Sequence, residues 1–157
     1  ERFRPYEEVL RYRTGARCDL DWSSSGLSAR YGPSDKPAWK IRGRLEGLLC
    51  RSLAGLAYLE GGRKTDWFSA YLRGTIFIVD NWDDRIYSYE RDAPGNFTVP
   101  AYYGRGWSLS AVSGCKLRLG RGRALKLYFR ASTMAYSFMK EPKPSVSEAK
   151  AQAVVMF

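Results

Sequence analysis

Apolar and polar residues alternate at every second position through most of this chain, and a period of two is typical of β-strands with one apolar face. The clearest run is Trp67 to Val79, in which the even positions are apolar and the odd positions from Ser69 to Thr75 are mostly polar. Helical periodicity is rare, so the pattern predicts an all-β fold. Comparable alternation covers residues 10–22, 39–49, 85–92, 107–119, 125–132 and 149–157, with a further run starting at Leu27; the pattern breaks around Arg51 and Ser52, and residues 53–60 are a candidate for a separate strand.

Most of these runs exceed the 5 or 6 residues, roughly, that are usual in soluble domains, and they match the about 9 to 11 residues of a tilted membrane strand. Turn residues separate them, among them Asp80–Asp84 and the short Gly120-Arg121-Gly122. We therefore expect a single domain over residues 1–157, forming an antiparallel up-and-down transmembrane β-barrel of about eight strands or the C-terminal part of a larger barrel.

Alternation alone leaves a soluble barrel or sandwich open, because the apolar rows could equally line a dry interior. Two further features favour the membrane version. The polar rows are mainly arginine, which suits a wet or ion-paired lumen. Aromatic residues lie near the strand ends, where an interfacial girdle would be: Trp22, Tyr31, Trp39, Phe68 and Trp107.

Composition removes several classes of enzyme. The chain has no histidine, which excludes Ser-His-Asp, Cys-His and HExxH chemistry. The three cysteines, Cys18, Cys50 and Cys115, form no CxxC, and we expect them to be small buried apolar residues. We predict no metal, no cofactor and no enzymatic activity.

The charge balance is strongly basic, with 26 Lys and Arg against 16 Asp and Glu and a formal net charge of +10. The cations recur in the polar rows, so they would line a lumen or groove that attracts anions or nucleic-acid phosphates. The lumen-facing candidates are Arg11, Arg13, Arg17, Arg42, Arg44, Arg73, Arg118 and Arg130, beside Lys40, Lys116 and Lys126.

Acidic residues crowd together between Asp80 and Asp92. Carboxylates so placed could do acid–base chemistry or bind calcium. However, arginines are interspersed and the spacing is not that of a calcium loop, so ion-paired turn and lumen residues are the preferred interpretation. The segment contains the candidate structural motif Asp83, Asp84, Arg85, Tyr87, Tyr89, Glu90, Arg91 and Asp92.

This motif, read as DNWDDRIYSYERD and followed by FTVPAYYGRG, resembles the C-terminal region of Bacteroidota helix-hairpin-helix domain-containing, DNA-uptake-like proteins. Residues 127–131 and 148–157 resemble the final strand pair of that region. The resemblance is best from about residue 65 onward, and it implies an outer-membrane β-barrel. The chain has no helix-hairpin-helix motif, so DNA binding by that domain is not implied.

The terminal Phe157, preceded by alternating apolar residues, resembles the signal by which the barrel assembly machinery engages a substrate strand. A core strand that ends on phenylalanine is the equal alternative. The expected partners are the lipid bilayer, that machinery during insertion, and further envelope subunits or a preceding part of the protein.

Three functions remain open. The first is a non-enzymatic transport, uptake or structural component of a bacterial outer membrane. The second is a soluble basic β-barrel that binds single-stranded nucleic acid through arginines and exposed aromatics. The third is a small β-barrel enzyme that uses Asp83, Asp84 and Glu90.

Overall fold

The computed structural model describes residues 14–23, 38–49, 52–120, 123–138 and 143–156. Seven long strands form one antiparallel sheet, and two strands of two residues each form a second, small one. The strands are β1 (Thr14–Ser23), β2 (Ala38–Leu49), β3 (Leu53–Lys64), β4 (Phe68–Val79), β5 (Ile86–Tyr87), β6 (Ala101–Tyr102), β7 (Gly104–Gly120), β8 (Arg123–Tyr136) and β9 (Lys143–Met156).

The large sheet has the order β1-β2-β3-β4-β7-β8-β9, so each long strand pairs with the next long strand along the chain. Every pairing is antiparallel. The prediction of an all-β, up-and-down antiparallel fold with long strands is therefore confirmed. No helix within the described ranges is long and apolar enough to cross a membrane.

Residues 80–103, which we call the cover segment, leave the sheet after β4 and return at β7. Their departure does not interrupt the ladder, because β4 and β7 pair directly from Phe68↔Cys115 to Val79↔Gly104. Gly104 has a φ of 84°, a left-handed conformation that glycine adopts without strain where the chain re-enters the sheet. We call the end of the sheet at which the strands reach Val79 and Gly104 the cover end. The opposite end, at which they reach Lys64 and Phe68, is the far end.

The two faces of the sheet differ sharply in chemistry. One, the apolar face, presents leucine, isoleucine, alanine, glycine and tryptophan from all seven strands. Nothing in the described chain covers it, and Leu45 and Leu72 are 64% and 54% exposed. The other, the polar face, carries most of the charged residues, and the cover segment packs on it, so that Arg73 and Arg130 are each only 3% exposed.

A small apolar core forms where the cover segment leaves and rejoins the sheet. Leu56, Phe77 and Val79 from the strands meet Ile86 and Tyr102 from the cover segment. The Phe77 ring lies 5.1 Å from the Tyr102 ring, centroid to centroid. This core anchors the cover segment at the cover end of the polar face.

Several finer predictions are corrected. The alternation of residues 85–92 is not a sheet strand: only Ile86–Tyr87 pairs as a strand, with an isolated bridge from Glu90 to Thr98. Residues 80–84 are a turn as predicted, with a 3₁₀ turn at Trp82–Asp84. Among the described residues, the large sheet has seven of the about eight predicted strands, and β1 and β9 do not pair to close a barrel.

The cysteine prediction is also wrong in part. Cys18 lies exposed on the apolar face, and Cys115 is half-buried on the same face. Both positions are apolar by pattern but uncovered in the fold. The predicted strand from Leu27, the candidates Arg11 and Arg13, Cys50 and the terminal Phe157 lie outside the described residues.

Candidate functional site

The predicted arginine rows divide into two groups on the polar face. Near the β1–β2 edge, Arg17, Arg42 and Arg44 alternate with acids and face solvent. Arg44 Nε lies 2.6 Å from Asp19 Oδ1, and Arg42 Nε lies 3.1 Å from Asp21 Oδ2. Arg42 and Arg44 thus have carboxylate partners on the neighbouring strand, and Arg17 pairs with Asp19 on its own strand, so this edge is ion-paired and not an open positive surface.

Arg73, in the middle of β4, is buried beneath the cover segment. Its Nη1 donates to the Tyr89 carbonyl at 2.6 Å, and its Nη2 donates to Ser88 Oγ at 2.7 Å. The guanidinium also lies 3.6 Å from the centroid of the Tyr58 ring. The planar fork of arginine suits this combination of two hydrogen bonds and a stacked ring.

Arg130, in β8, makes the most buried ion pair among the described residues. Its Nη2 lies 2.6 Å from Glu90 Oε2, and both side chains are 3% exposed. Nη1 of the same guanidinium donates to Glu148 Oε2 at 3.0 Å. Tyr102 donates its hydroxyl proton to Glu90, and burial together with this carboxylate raises the pKa of Tyr102 above its ordinary range.

Two further ion pairs tie the same stretch of the cover segment to other strands. Arg91 Nη2 lies 2.7 Å from Glu60 Oε1 in β3, and its guanidinium lies 3.8 Å from the centroid of the Tyr71 ring. Asp92 Oδ2 lies 3.8 Å from Lys150 Nζ in β9. Residues 88–92 therefore bond to β3, β4, β8 and β9 at once.

The pKa of Asp92 is set by opposing effects. Burial acts to raise it, but the hydrogen bonds from the Thr98 hydroxyl and the Ala93 amide, with the charges of Arg130 and Lys150, leave it below its ordinary value. The carboxylate is thus held ionised where the cover segment crosses the polar face.

The beginning of the cover segment is fixed by Asp84, which is fully buried. Its Oδ2 accepts hydrogen bonds from the Ser52 amide at 2.9 Å and from Ser52 Oγ at 2.7 Å. Arg85 donates from Nε to the Tyr87 hydroxyl at 2.6 Å and stacks over the Trp82 ring. The exposed Tyr89 packs edge-on against Phe97.

Residues 89–92 of the predicted motif therefore join two of the predicted arginines in one network, whereas Asp84 and Arg85 bond locally at the start of the cover segment. Arg73 and Arg130 meet Tyr89, Glu90 and their neighbours, whereas Arg17, Arg42 and Arg44 belong to the separate β1–β2 edge, and Arg118 lies exposed at the far end. Sequence reasoning missed the partners that the strands supply, because single polar residues inside a strand carry no signal of what folds over them. These partners are Ser52, Glu60, Thr75, Glu148 and Lys150.

The chemistry of this network is that of a fixed structural clasp. Within the described ranges, no group of three or more His, Cys, Asp or Glu residues is placed to hold a metal ion. Glu90, which the enzyme hypothesis needed as an acid or base, is occupied by Arg130 and Tyr102. The arrangement can hold the cover segment against the sheet and leaves no free carboxylate at its centre.

Comparisons with protein-family models, curated proteins and solved structures found no match to this chain.

Proposed function

We propose that this chain forms part of the wall of an outer-membrane β-barrel, with the apolar face toward lipid and the cover segment inside the barrel. Its role is non-enzymatic, as a transport, uptake or structural component of a bacterial envelope. The observation that carries the proposal is the inverted arrangement of the sheet: leucines face outward uncovered, whereas Arg73, Arg130 and Glu90 are buried.

A water-soluble sheet protein buries its apolar face, because that burial is the main force that stabilises it. Here the apolar face continues across all seven strands, and its described charged side chains, Arg63, Arg105 and Arg123, all lie at strand ends. Soluble monomers rarely expose apolar patches beyond a few hundred Å². A lipid environment removes this conflict.

The dimensions of the strands fit a bilayer. β4 has 12 residues, which at a rise of about 3.3 Å each give about 40 Å of strand. Tilted by about 45°, such a strand covers about 28 Å, close to the about 30 Å hydrocarbon thickness of a bilayer. Exposed Trp22, Trp39 and Trp67 cluster at the far end, where an interfacial aromatic girdle would lie.

The cover segment suits the interior of such a barrel. It packs on the face that would be the lumen, and it satisfies the charged groups there by ion pairs and hydrogen bonds. The resemblance to Bacteroidota DNA-uptake-like proteins, insertion by the barrel assembly machinery and an outer-membrane location belong to the same proposal.

The test is a comparison of two arginine substitutions on the apolar face. Leu72→Arg places a charge mid-strand, and Leu119→Arg places the same charge near the far end. In a membrane barrel, we expect Leu72→Arg to lower the free energy of unfolding in lipid by about 2–4 kcal/mol and Leu119→Arg by about 0–1 kcal/mol. Equilibrium unfolding in urea from phospholipid vesicles measures both.

The opposite result has a clear form. A soluble protein would tolerate a new arginine at either exposed position, and it would stay monomeric in buffer without detergent. That outcome, together with salt-dependent binding of single-stranded oligonucleotides, would favour the soluble nucleic-acid-binding alternative.

A further inference from the structure

The far end of the sheet carries a group of cations that the cover segment does not reach. Two neighbouring grooves, of about 250 Å³ and about 670 Å³, share the wall formed by Thr65, Asp66, Trp67 and Lys116. The cations that line one groove or both are Arg63, Lys64, Lys116, Arg118 and Lys126.

Strand register brings like charges together here. Lys116 in β7 lies directly opposite Lys126 in β8. Side chains directly opposite on one face have Cβ atoms about 5 Å apart, and like charges at that distance destabilise a sheet. A pair of lysines placed in this way calls for a counter-ion.

The described chain supplies little negative charge at this place. No described carboxylate lies within ion-pair distance of Lys64, Lys116, Arg118 or Lys126, in contrast to Arg17, Arg42, Arg44, Arg91, Arg105 and Arg130. Among the described residues that line the grooves, Asp66 is the single acid. Polar side chains that could complete an anion site are present, since Tyr128 and Ser69 line the smaller groove.

We propose that these grooves bind a phosphate-bearing anion, with the ammonium groups of Lys116 and Lys126 as its main partners and Lys64 and Arg118 beside them. Lys116 and Lys126 lie on the polar face, which the proposed function puts inside the barrel, so a soluble phosphate-bearing solute is the expected source, and an anionic phospholipid headgroup is the alternative that the experiment distinguishes. The choice of source rests on the proposed function; the phosphate chemistry of the grooves does not.

The experiment uses the purified chain in a zwitterionic detergent, with two probes. One is inorganic pyrophosphate, and the other is phosphatidylglycerol in mixed micelles, with phosphatidylcholine as the neutral reference. Calorimetric titration gives the affinity for each. We expect the double variant Lys116→Gln/Lys126→Gln to bind at least about tenfold more weakly, since charge-assisted hydrogen bonds of this kind are each worth about a factor of ten or more.

The matched control is Lys40→Gln, which removes a cation from the same end of the sheet but outside both grooves. We expect it to change the affinity less than twofold. Thermal unfolding without any probe provides a second measurement: because the double variant relieves the repulsion of the facing lysines, it is expected to unfold at the same temperature as the parent chain or higher.

The outcomes separate the possibilities. Lysine-dependent binding of phosphatidylglycerol assigns the grooves to lipid, and lysine-dependent binding of pyrophosphate alone assigns them to a free phosphate. Binding of neither probe, or an equal loss in Lys40→Gln, overturns the proposal. Pyrophosphate binding in detergent-free buffer would support a phosphate site in the grooves even if the chain proved soluble. The two proposals can therefore fail separately.

Discussion

Arg130 and Glu90 form an ion pair that is closed off from solvent on all sides. Taking two charges out of water costs several kcal/mol, and their attraction offsets this only because the geometry is close and further hydrogen bonds satisfy most of the other polar atoms, although Arg130 Nε has no hydrogen-bond partner among the described residues. Tyr102 and Glu148 supply those further hydrogen bonds. The pair therefore fixes where the cover segment lies more than it adds to net stability.

We expect Glu90→Gln to destabilise the protein by about 3–5 kcal/mol, because it removes the buried carboxylate partner of Arg130 and leaves only the exposed Glu148 to pair with it. The double variant Glu90→Gln/Arg130→Met should recover part of this loss. Urea unfolding in detergent measures both, with the exposed pair of Arg17 and Asp19 as reference. Arg17→Gln should cost at most about 1 kcal/mol. Equal costs at the buried and the exposed pair would contradict this account.

Asp92 gives the cover segment a dependence on pH. Its pKa is lowered in the folded protein, so its contribution to stability is fully present above the unfolded value of about 3.9 and is lost as the pH falls through the lower folded value. We expect the hydrogen-exchange protection factors of the non-proline amides in residues 92–98, which compare the measured rate with the intrinsic rate at the same pH, to fall below about pH 4. Asp92→Asn should flatten this dependence, and an unchanged profile in that variant would assign it to another group.

In the described part of the chain, the cover segment is a long irregular connection in a largely regular meander. The ladder between β4 and β7 holds without it, since Val79 and Gly104 already pair. It adds a small apolar core and a set of ion pairs on one face, and nothing on the other. We therefore expect the sheet to be stable without the cover segment.

We expect that replacing residues 80–103 by an Asn-Gly turn leaves the strands intact, because two residues can join antiparallel neighbours as a hairpin. Leu56 and Phe77 would then lose their cover, and Arg73, Arg130 and Glu60 would become hydrated. The far-UV circular dichroism spectrum should keep its β signal. Added protease should cleave the strands faster once their polar face is uncovered. Loss of the β signal would mean that the cover segment is needed for the sheet to form.

The alternation of polar and apolar residues predicted the long strands and, where the alternation was clear, which residues share a face; it predicted no faces for residues 53–60 in β3. It could not tell lipid-facing from core-facing rows, because both have a period of two. It also misread residues 86–90, in which Ile86, Ser88 and Glu90 are buried and the residues between them exposed. There the alternation reflects contact with one surface, not membership of the sheet, and the partners come from strands far away in sequence.

The cover segment packed on the polar face of the seven strands sets a lower limit on the number of strands in a closed barrel. A barrel of about eight strands has an interior just filled by its own side chains. Here the cover segment adds its backbone to that space, with Tyr102 and Asp84 fully enclosed. A barrel that contains it needs more strands than the seven described, from other parts of the protein or from partner subunits.

The need for further strands also follows from the backbone hydrogen bonds of the two edge strands. On the described chain, β1 and β9 each have one side on which no strand lies. In water such peptide groups are solvated, but in hydrocarbon each unsatisfied amide or carbonyl costs several kcal/mol. The free-energy cost of a row of unsatisfied groups along both edge strands would exceed the free energy that the apolar face gains from contact with lipid. Closure of the barrel is therefore required before the sheet can insert into a bilayer. A partly inserted, open sheet would pair its edge strands with any strand available to it.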